Sequence, residues 1–265
     1  MSSEASQQAM RAEDVAELQK AGRLLENQGL VRLLKNVAGV PTDKALALVP
    51  RRLKNKLDKI VCGAVGQGLD FAVSSIDADD FRPPRNRLSR LVTGVTGGVS
   101  GFFGAGGLAA ELPVTPTLIL RSIADIARSQ GEDLSSMPTR LACLEVLAPG
   151  APAEEKQTQS SYFLARDSLS ELAGNAAKAL SARGADAASS PEVDGFLGQI
   201  GAKFAVVGER AVPVIGALGG AAANAMSTKY FQDLATGHFI VRKLERACGK
   251  DVVRAHYMSV FASLN

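Results

Sequence analysis

The side chains best suited to acid–base chemistry are Glu111, His238 and Asp133. A carboxylate or an imidazole exchanges protons near neutral pH when its surroundings adjust its pKa. Glu111 is the single charged residue in the stretch 91–120. We expect Glu111 to lie at a helix end, facing water or an arginine, because unpaired glutamates are rarely buried. The alternative is a buried, paired carboxylate in a central polar site.

A second group of polar residues falls at helical spacing. Arg121, Asp125, Arg128 and Glu132 are three or four residues apart, which on one helix predicts a stripe of alternating charge. We expect a solvated ladder, with a polar seam between packed helices as the alternative. His238 shares a predicted helical face with apolar residues, and Arg242 and Glu245 follow on the same side. We therefore expect a core or interface histidine rather than a catalytic base.

The sequence lacks the motifs of several kinds of catalytic and metal-binding site. The chain has only two histidines and neither HExxH nor CxxC, so no metal site is predicted. It also lacks G-x-S-x-G, and no Lys-Ser/Thr follows the glycines of residues 97–107 to form a phosphate loop. The three cysteines are far apart in apolar surroundings and are predicted to be reduced, buried thiols. We predict no cofactor.

Basic residues concentrate in two short segments, RRLKNKLDKI (51–60) and RPPRNRLSR (82–90). With nine bases and one acid they carry +8, against +3 for the whole chain. The candidates for contact with a membrane surface are Arg51, Arg52, Lys54, Lys56, Lys59, Arg82, Arg85, Arg87 and Arg90. A basic amphipathic helix of this kind is typical of attachment to anionic lipid, although a solvated helix face is the alternative. Nucleic acid is not expected, because aromatics are 5% and tryptophan is absent.

The apolar spacing predicts an all-α protein, since strand-like alternation is nowhere sustained. Residues 1–12 are predicted to be a flexible N-terminal tail, and residues 13–265 one multi-helix domain. The N-terminus has no secretory signal, which predicts a cytoplasmic protein.

Two glycine- and alanine-rich apolar runs, residues 91–120 and 211–228, are predicted to form helical hairpins at the centre of that domain. Gly94 and Gly98, like Gly216 and Gly220, have the small-xxx-small spacing that lets helix backbones approach closely. Residues 91–110 are just long enough to span a bilayer, but seven of the twenty are glycine. Burial within a packed domain is therefore favoured, and conditional insertion or stable spanning are the alternatives.

Three blocks resemble the EcsC protein family: ELPVTPTLILRSIADIARSQGEDLSSMPTRLACLEVLAPG (111–150), VPVIGALGGAAANAMSTKYFQDLATGHFIVRKLERACG (212–249) and, more loosely, the glycine-rich run before Glu111. The order of acid, proline, RSI and GED, followed by GHF-x-VR-x-LER, carries the resemblance. It implies a bacterial helical domain, sometimes encoded beside ABC-transporter components and linked there to secretion. It implies no catalytic set; the candidates for a ligand or polar site are Glu111, Arg121, Asp125, Glu132, Asp133, Asn224, His238, Arg242 and Glu245.

Three functions follow as hypotheses. The first is a non-catalytic accessory protein, peripheral at the inner face of the plasma membrane, that meets anionic lipid or a membrane-protein partner. The second is a carrier of an apolar ligand or lipid, with Glu111 and Arg121 at the mouth of an internal cavity. The third is a hydrolase-like enzyme that uses Glu111, His238 or Asp133, which would have to converge on one pocket.

Overall fold

The computed structural model describes residues 10–26, 114–148, 160–183, 190–202 and 220–264. Within these ranges there are seven helices and no strand, so the predicted all-α fold is confirmed. The helices are α1 (Ala12–Leu25), α2 (Val114–Ser129), α3 (Met137–Glu145), α4 (Ser161–Arg183), α5 (191–202), α6 (Gly220–Cys248) and α7 (Lys250–Leu264). Both basic segments, Glu111 and most of the two glycine-rich runs lie outside the described residues.

Two glycines with positive φ angles end helices in the described residues. Gly131 follows α2 with φ = +77°, and Gly249 follows α6 with φ = +91°. Both conformations are in the left-handed region that glycine adopts without a Cβ penalty, so the chain can turn sharply into the next element at each of the two positions. Asp251 is the second residue of α7, which begins at Lys250. Its carboxylate lies in the first turn, where it faces the positive end of the helix dipole.

Serine residues cap the starts of α3 and α5. The Ser136 hydroxyl accepts a hydrogen bond from the Thr139 amide at 3.4 Å, with Pro138 in the first turn. The Ser190 hydroxyl accepts one from the Val193 amide at 3.4 Å. Each cap satisfies a backbone donor that has no partner within the helix.

Helix α6 is the centre of the described packing. It lies against α1, α2 and α7, while α3 packs against both α2 and α4. Phe231, Phe239 and Val241 of α6 are fully buried in a core shared with the other helices. A buried polar link between α2 and α6 is made by Gln232, which donates to the Ser122 hydroxyl at 2.7 Å. The polar residues on α6 therefore need partners on neighbouring elements.

Helix α1 approaches α6 closely at Gly237. A Cβ placed there would lie 2.6 Å from Leu25 Cγ and 3.1 Å from the Ala21 carbonyl oxygen. Since the Ala21 oxygen belongs to the backbone, a side chain at this position would have to separate the two helices. Glycine at residue 237 thus sets the distance between α1 and α6.

No helix in the described ranges has the combination of length and apolar composition that a bilayer crossing requires. The helix α6 is 29 residues long, but charged side chains interrupt its apolar sequence. The cysteine prediction holds for the two described thiols, since Cys143 and Cys248 are free and buried. Burial raises the pKa of Cys143 to about 12, so this thiol is protonated and unreactive at neutral pH.

We predict that Gly237→Ala lowers the free energy of unfolding by about 1–3 kcal/mol, because the new methyl group overpacks the α1–α6 contact. Gly174→Ala is the matched control: a methyl group added to this helical glycine would meet no atom within 4 Å, and alanine should stabilise the helix by up to about 1 kcal/mol. Urea denaturation of both variants measures the difference. Equal stabilisation by the two substitutions would contradict the close approach.

Candidate functional site

Glu132 anchors one buried ion-pair cluster. It follows the turn at Gly131 and accepts hydrogen bonds from Arg242 Nε at 3.0 Å and Nη2 at 3.1 Å. Arg246 Nη1 also donates to it, and the Thr139 hydroxyl donates at 3.0 Å. Only 4% of the Glu132 side chain is exposed. These bonds join the α2–α3 connection to the last turns of α6.

The pKa of Glu132 reflects two opposing effects. Desolvation raises it, but the hydrogen bonds and positive charge of Arg242, with the bond from Arg246, hold it below its ordinary value. Glu132 is therefore ionised at neutral pH. A buried carboxylate with so many donors stabilises the fold only while those donors remain in place.

A second ion pair joins α4 to α6. Arg166 donates from Nη1 and Nη2 to the two carboxylate oxygens of Glu245, at 2.7 and 2.8 Å. Both side chains are largely buried. The parallel pair of bonds fixes the planes of both groups and gives the contact a defined geometry.

Tyr162 and His238 form a buried hydrogen bond beside that ion pair. The Tyr162 hydroxyl lies 3.0 Å from His238 Nδ1, and Arg166 Nη1 lies 3.5 Å from the same hydroxyl. Burial, followed by the positive charges of Arg166 and Arg242, lowers the pKa of His238 well below its ordinary value. The imidazole is therefore neutral at physiological pH.

Glu145, at the end of α3, completes the polar region. Burial raises its pKa, and the charges of Arg166 and Arg242 oppose that shift. Glu145 lines a small cavity together with Tyr162, Arg166 and His238. The cavity volume is about 10 Å³, which is room for about one water molecule.

An aromatic cluster connects this region to the chain ends. The rings of Tyr162 and Phe163 each pack against Tyr257 of α7, with centroids 5.8 and 5.1 Å apart. Glu26, at the end of α1, accepts from the Tyr257 hydroxyl at 3.1 Å and from the Ser160 hydroxyl. One carboxylate thus holds together α1, α7 and the start of α4.

The structure brings four of the predicted polar-site residues into one region. His238, Arg242 and Glu245 lie on α6, and Glu132 reaches Arg242 from the α2–α3 connection. Glu132 does not extend the predicted helical stripe, because α2 ends at Ser129. It forms part of a polar contact between elements instead.

The other predicted residues lie elsewhere. Asp125 pairs with Arg128 at 2.9 Å along α2, as the predicted spacing requires, but the two side chains are only 18% and 8% exposed, so the expected solvation of this pair is wrong. Arg121 is half-buried on the same helix. Asp133 is exposed and accepts hydrogen bonds from the Ser135 amide and hydroxyl, so it shapes a turn. Asn224 is buried near the start of α6.

Sequence reasoning missed Tyr162, Arg166 and Glu145 as site residues. Tyr162 and Arg166 are four residues apart and so share a face of α4, which is a usable signal. Their partners His238 and Glu245 are seven apart on one face of α6. Nothing in either spacing, however, identifies which two helices face each other. In the described residues, no cluster of His, Cys, Asp and Glu has the arrangement of a metal site.

A family model described as the EcsC protein family matches residues 76–244, well over half of the chain. The matched range contains Glu132, Glu145, Tyr162, Arg166 and His238, whereas α1 and α7 lie outside it. No curated protein and no solved structure matches the chain.

We predict that Arg242→Met destabilises the protein by about 3 kcal/mol or more, because Glu132 keeps its burial but loses its bidentate partner. Lys243→Met is the control, since this neighbouring lysine pairs with Glu17 at the surface, with both side chains more than 40% exposed. Its effect should stay within about 1 kcal/mol. Chemical denaturation of the two variants provides the comparison, and similar losses would contradict the assigned role of Arg242.

We predict that His238 makes stability fall in mild acid. Unfolded His238 binds a proton as the pH drops through 6.5, whereas the folded imidazole stays neutral, so the unfolded state gains protons and stability is lost below that pH. Between pH 7.5 and 5.5 the wild type should lose about 1.4 kcal/mol more than His238→Gln, which does not titrate. If the free energy of unfolding fell equally with pH in the two proteins, His238 would take up its proton in the folded state, and the prediction would be wrong.

Proposed function

Because the chain belongs to the EcsC protein family, we propose that it is a non-catalytic, membrane-peripheral accessory protein of the cytoplasmic side. Its two basic segments meet an anionic membrane surface, and its apolar glycine-rich hairpins meet lipid or a membrane-protein partner there. A link to transport or secretion follows from the family resemblance.

The observation that carries this proposal is the placement of nine of the chain's 30 bases in residues 51–60 and 82–90, with one acid among them. Each lysine or arginine close to an anionic leaflet contributes about 1 kcal/mol of attraction at low screening. A cluster of this size is enough to hold a protein at the surface without a spanning helix. The low aromatic content favours lipid over nucleic acid, whose bases stack on aromatic rings.

The described polar site supports a structural role for its buried charges. Glu132 and Glu245 each have an arginine partner within the fold, so their charges are used in holding helices together. The cavity beside His238 has room for about one water molecule. A hydrolase using His238 would have to open this contact to admit a substrate, and a lipid carrier would need a far larger cavity.

We predict that the protein sediments with phosphatidylcholine vesicles containing phosphatidylserine at low salt and is released as salt is added, because the Debye length shortens from about 30 Å at 0.01 M to about 8 Å at 0.15 M. Replacing Arg51, Arg52, Lys54 and Lys56 with glutamine should weaken binding by up to about a thousandfold. Vesicle sedimentation over a range of lipid concentrations measures the effect.

The matched control replaces four exposed bases on the described helices with glutamine: Lys20, Arg23, Lys178 and Lys250. It removes the same charge, so it should bind nearly as the wild type does if the basic segments are the contact. If vesicle binding weakened equally in the two variants, the attraction would depend on net charge and not on the two basic segments. If the wild-type protein does not sediment with anionic vesicles at low salt, the proposal of lipid binding is wrong.

A further inference from the structure

The cavity beside His238 lies among α3, α4 and α6 and is lined by both polar and apolar groups. Ala148, Ala165 and Leu169 form its apolar wall. Its polar lining comes from Glu145, Tyr162, Arg166 and His238. A cavity of about 10 Å³ is at the size of one water molecule, and an interior site holds water when several polar groups surround it.

The hydrogen bonds around Tyr162 fix the tautomer of His238. The Arg166 guanidinium can only donate, so the Tyr162 oxygen is the acceptor of that contact. The single Tyr162 proton is then free to be donated to His238 Nδ1, 3.0 Å away. A neutral imidazole that accepts at Nδ1 carries its proton on Nε2.

The proton on Nε2 has no acceptor among the described residues. His238 Nε2 is fully buried and is the one such side-chain atom there without a hydrogen-bond partner. A buried N–H group that loses its water partner on folding and gains no other is costly, and such groups nearly always have a protein or water acceptor. His238 itself lines the cavity, so an acceptor placed there is within its reach.

We propose that this cavity is a binding site for one structural water molecule, which accepts from His238 Nε2–H and donates to a carboxyl oxygen of Glu145. The water extends a directed chain of donors from Arg166 through Tyr162 and His238 to Glu145. Each group within that chain accepts from one neighbour and donates to the next. The site is independent of membrane binding, because it lies within the helix packing.

Nuclear magnetic resonance of the full chain labelled with ¹⁵N-histidine tests the proposal directly. We expect a resolved signal from the His238 Nε2 proton and no proton on Nδ1. The Nε2 proton should show a nuclear Overhauser cross-peak to water, with the sign expected of a water molecule that stays bound for a long time. A proton on Nδ1 instead, or an Nε2 proton without that cross-peak, would overturn the proposal.

A cavity-filling variant tests the location of the water. Ala148→Val places two methyl groups into the cavity wall and should abolish the water cross-peak while leaving the Nε2 proton in place. Ala177→Val, on the half-buried side of α4, is the matched control and should keep the cross-peak. Retention of the cross-peak in Ala148→Val would place the water elsewhere and contradict the site, and the wild-type measurement decides the matter if that variant does not fold.

Discussion

The described structure depends on one constraint: each charged side chain that α6 buries must have a partner of opposite charge on a neighbouring element. An unpaired buried charge lowers the free energy of unfolding by more than most single contacts raise it. Arg242 and Glu245 lie within one turn of each other on α6, and their partners Glu132 and Arg166 come from the α2–α3 connection and from α4. These two ion pairs therefore fix where α2, α3 and α4 lie around the central helix.

The chain ends are held by a different set of contacts. Gly237 lets α1 approach the backbone of α6, and Glu26 then joins the end of α1 to Tyr257 and Ser160. Although the family match covers residues 76–244, α1 and α7 both pack on α6. The folded unit around α6 thus includes helices on either side of the matched range.

The helix ends at Gly131 and Gly249 and the helix start at Ser190 were predictable from the sequence, because these residues act within one turn of their own position. Pairing between helices was not predictable, because Tyr162 and His238 are 76 residues apart and no spacing rule relates them. Glu132 shows the same limit: its distance from Arg128 fitted a helical ladder, but the turn at Gly131 directs it to α6.

A double-mutant cycle on Arg166 and Glu245, with each replaced by methionine alone and together, tests most directly whether buried ion pairs position the helices around α6. Free energies of unfolding from urea denaturation supply the four corners of the cycle. We expect a coupling energy of about 2 kcal/mol or more, because each single variant leaves a buried charge without its partner. A coupling energy below about 0.5 kcal/mol, the size expected of independent sites, would contradict it.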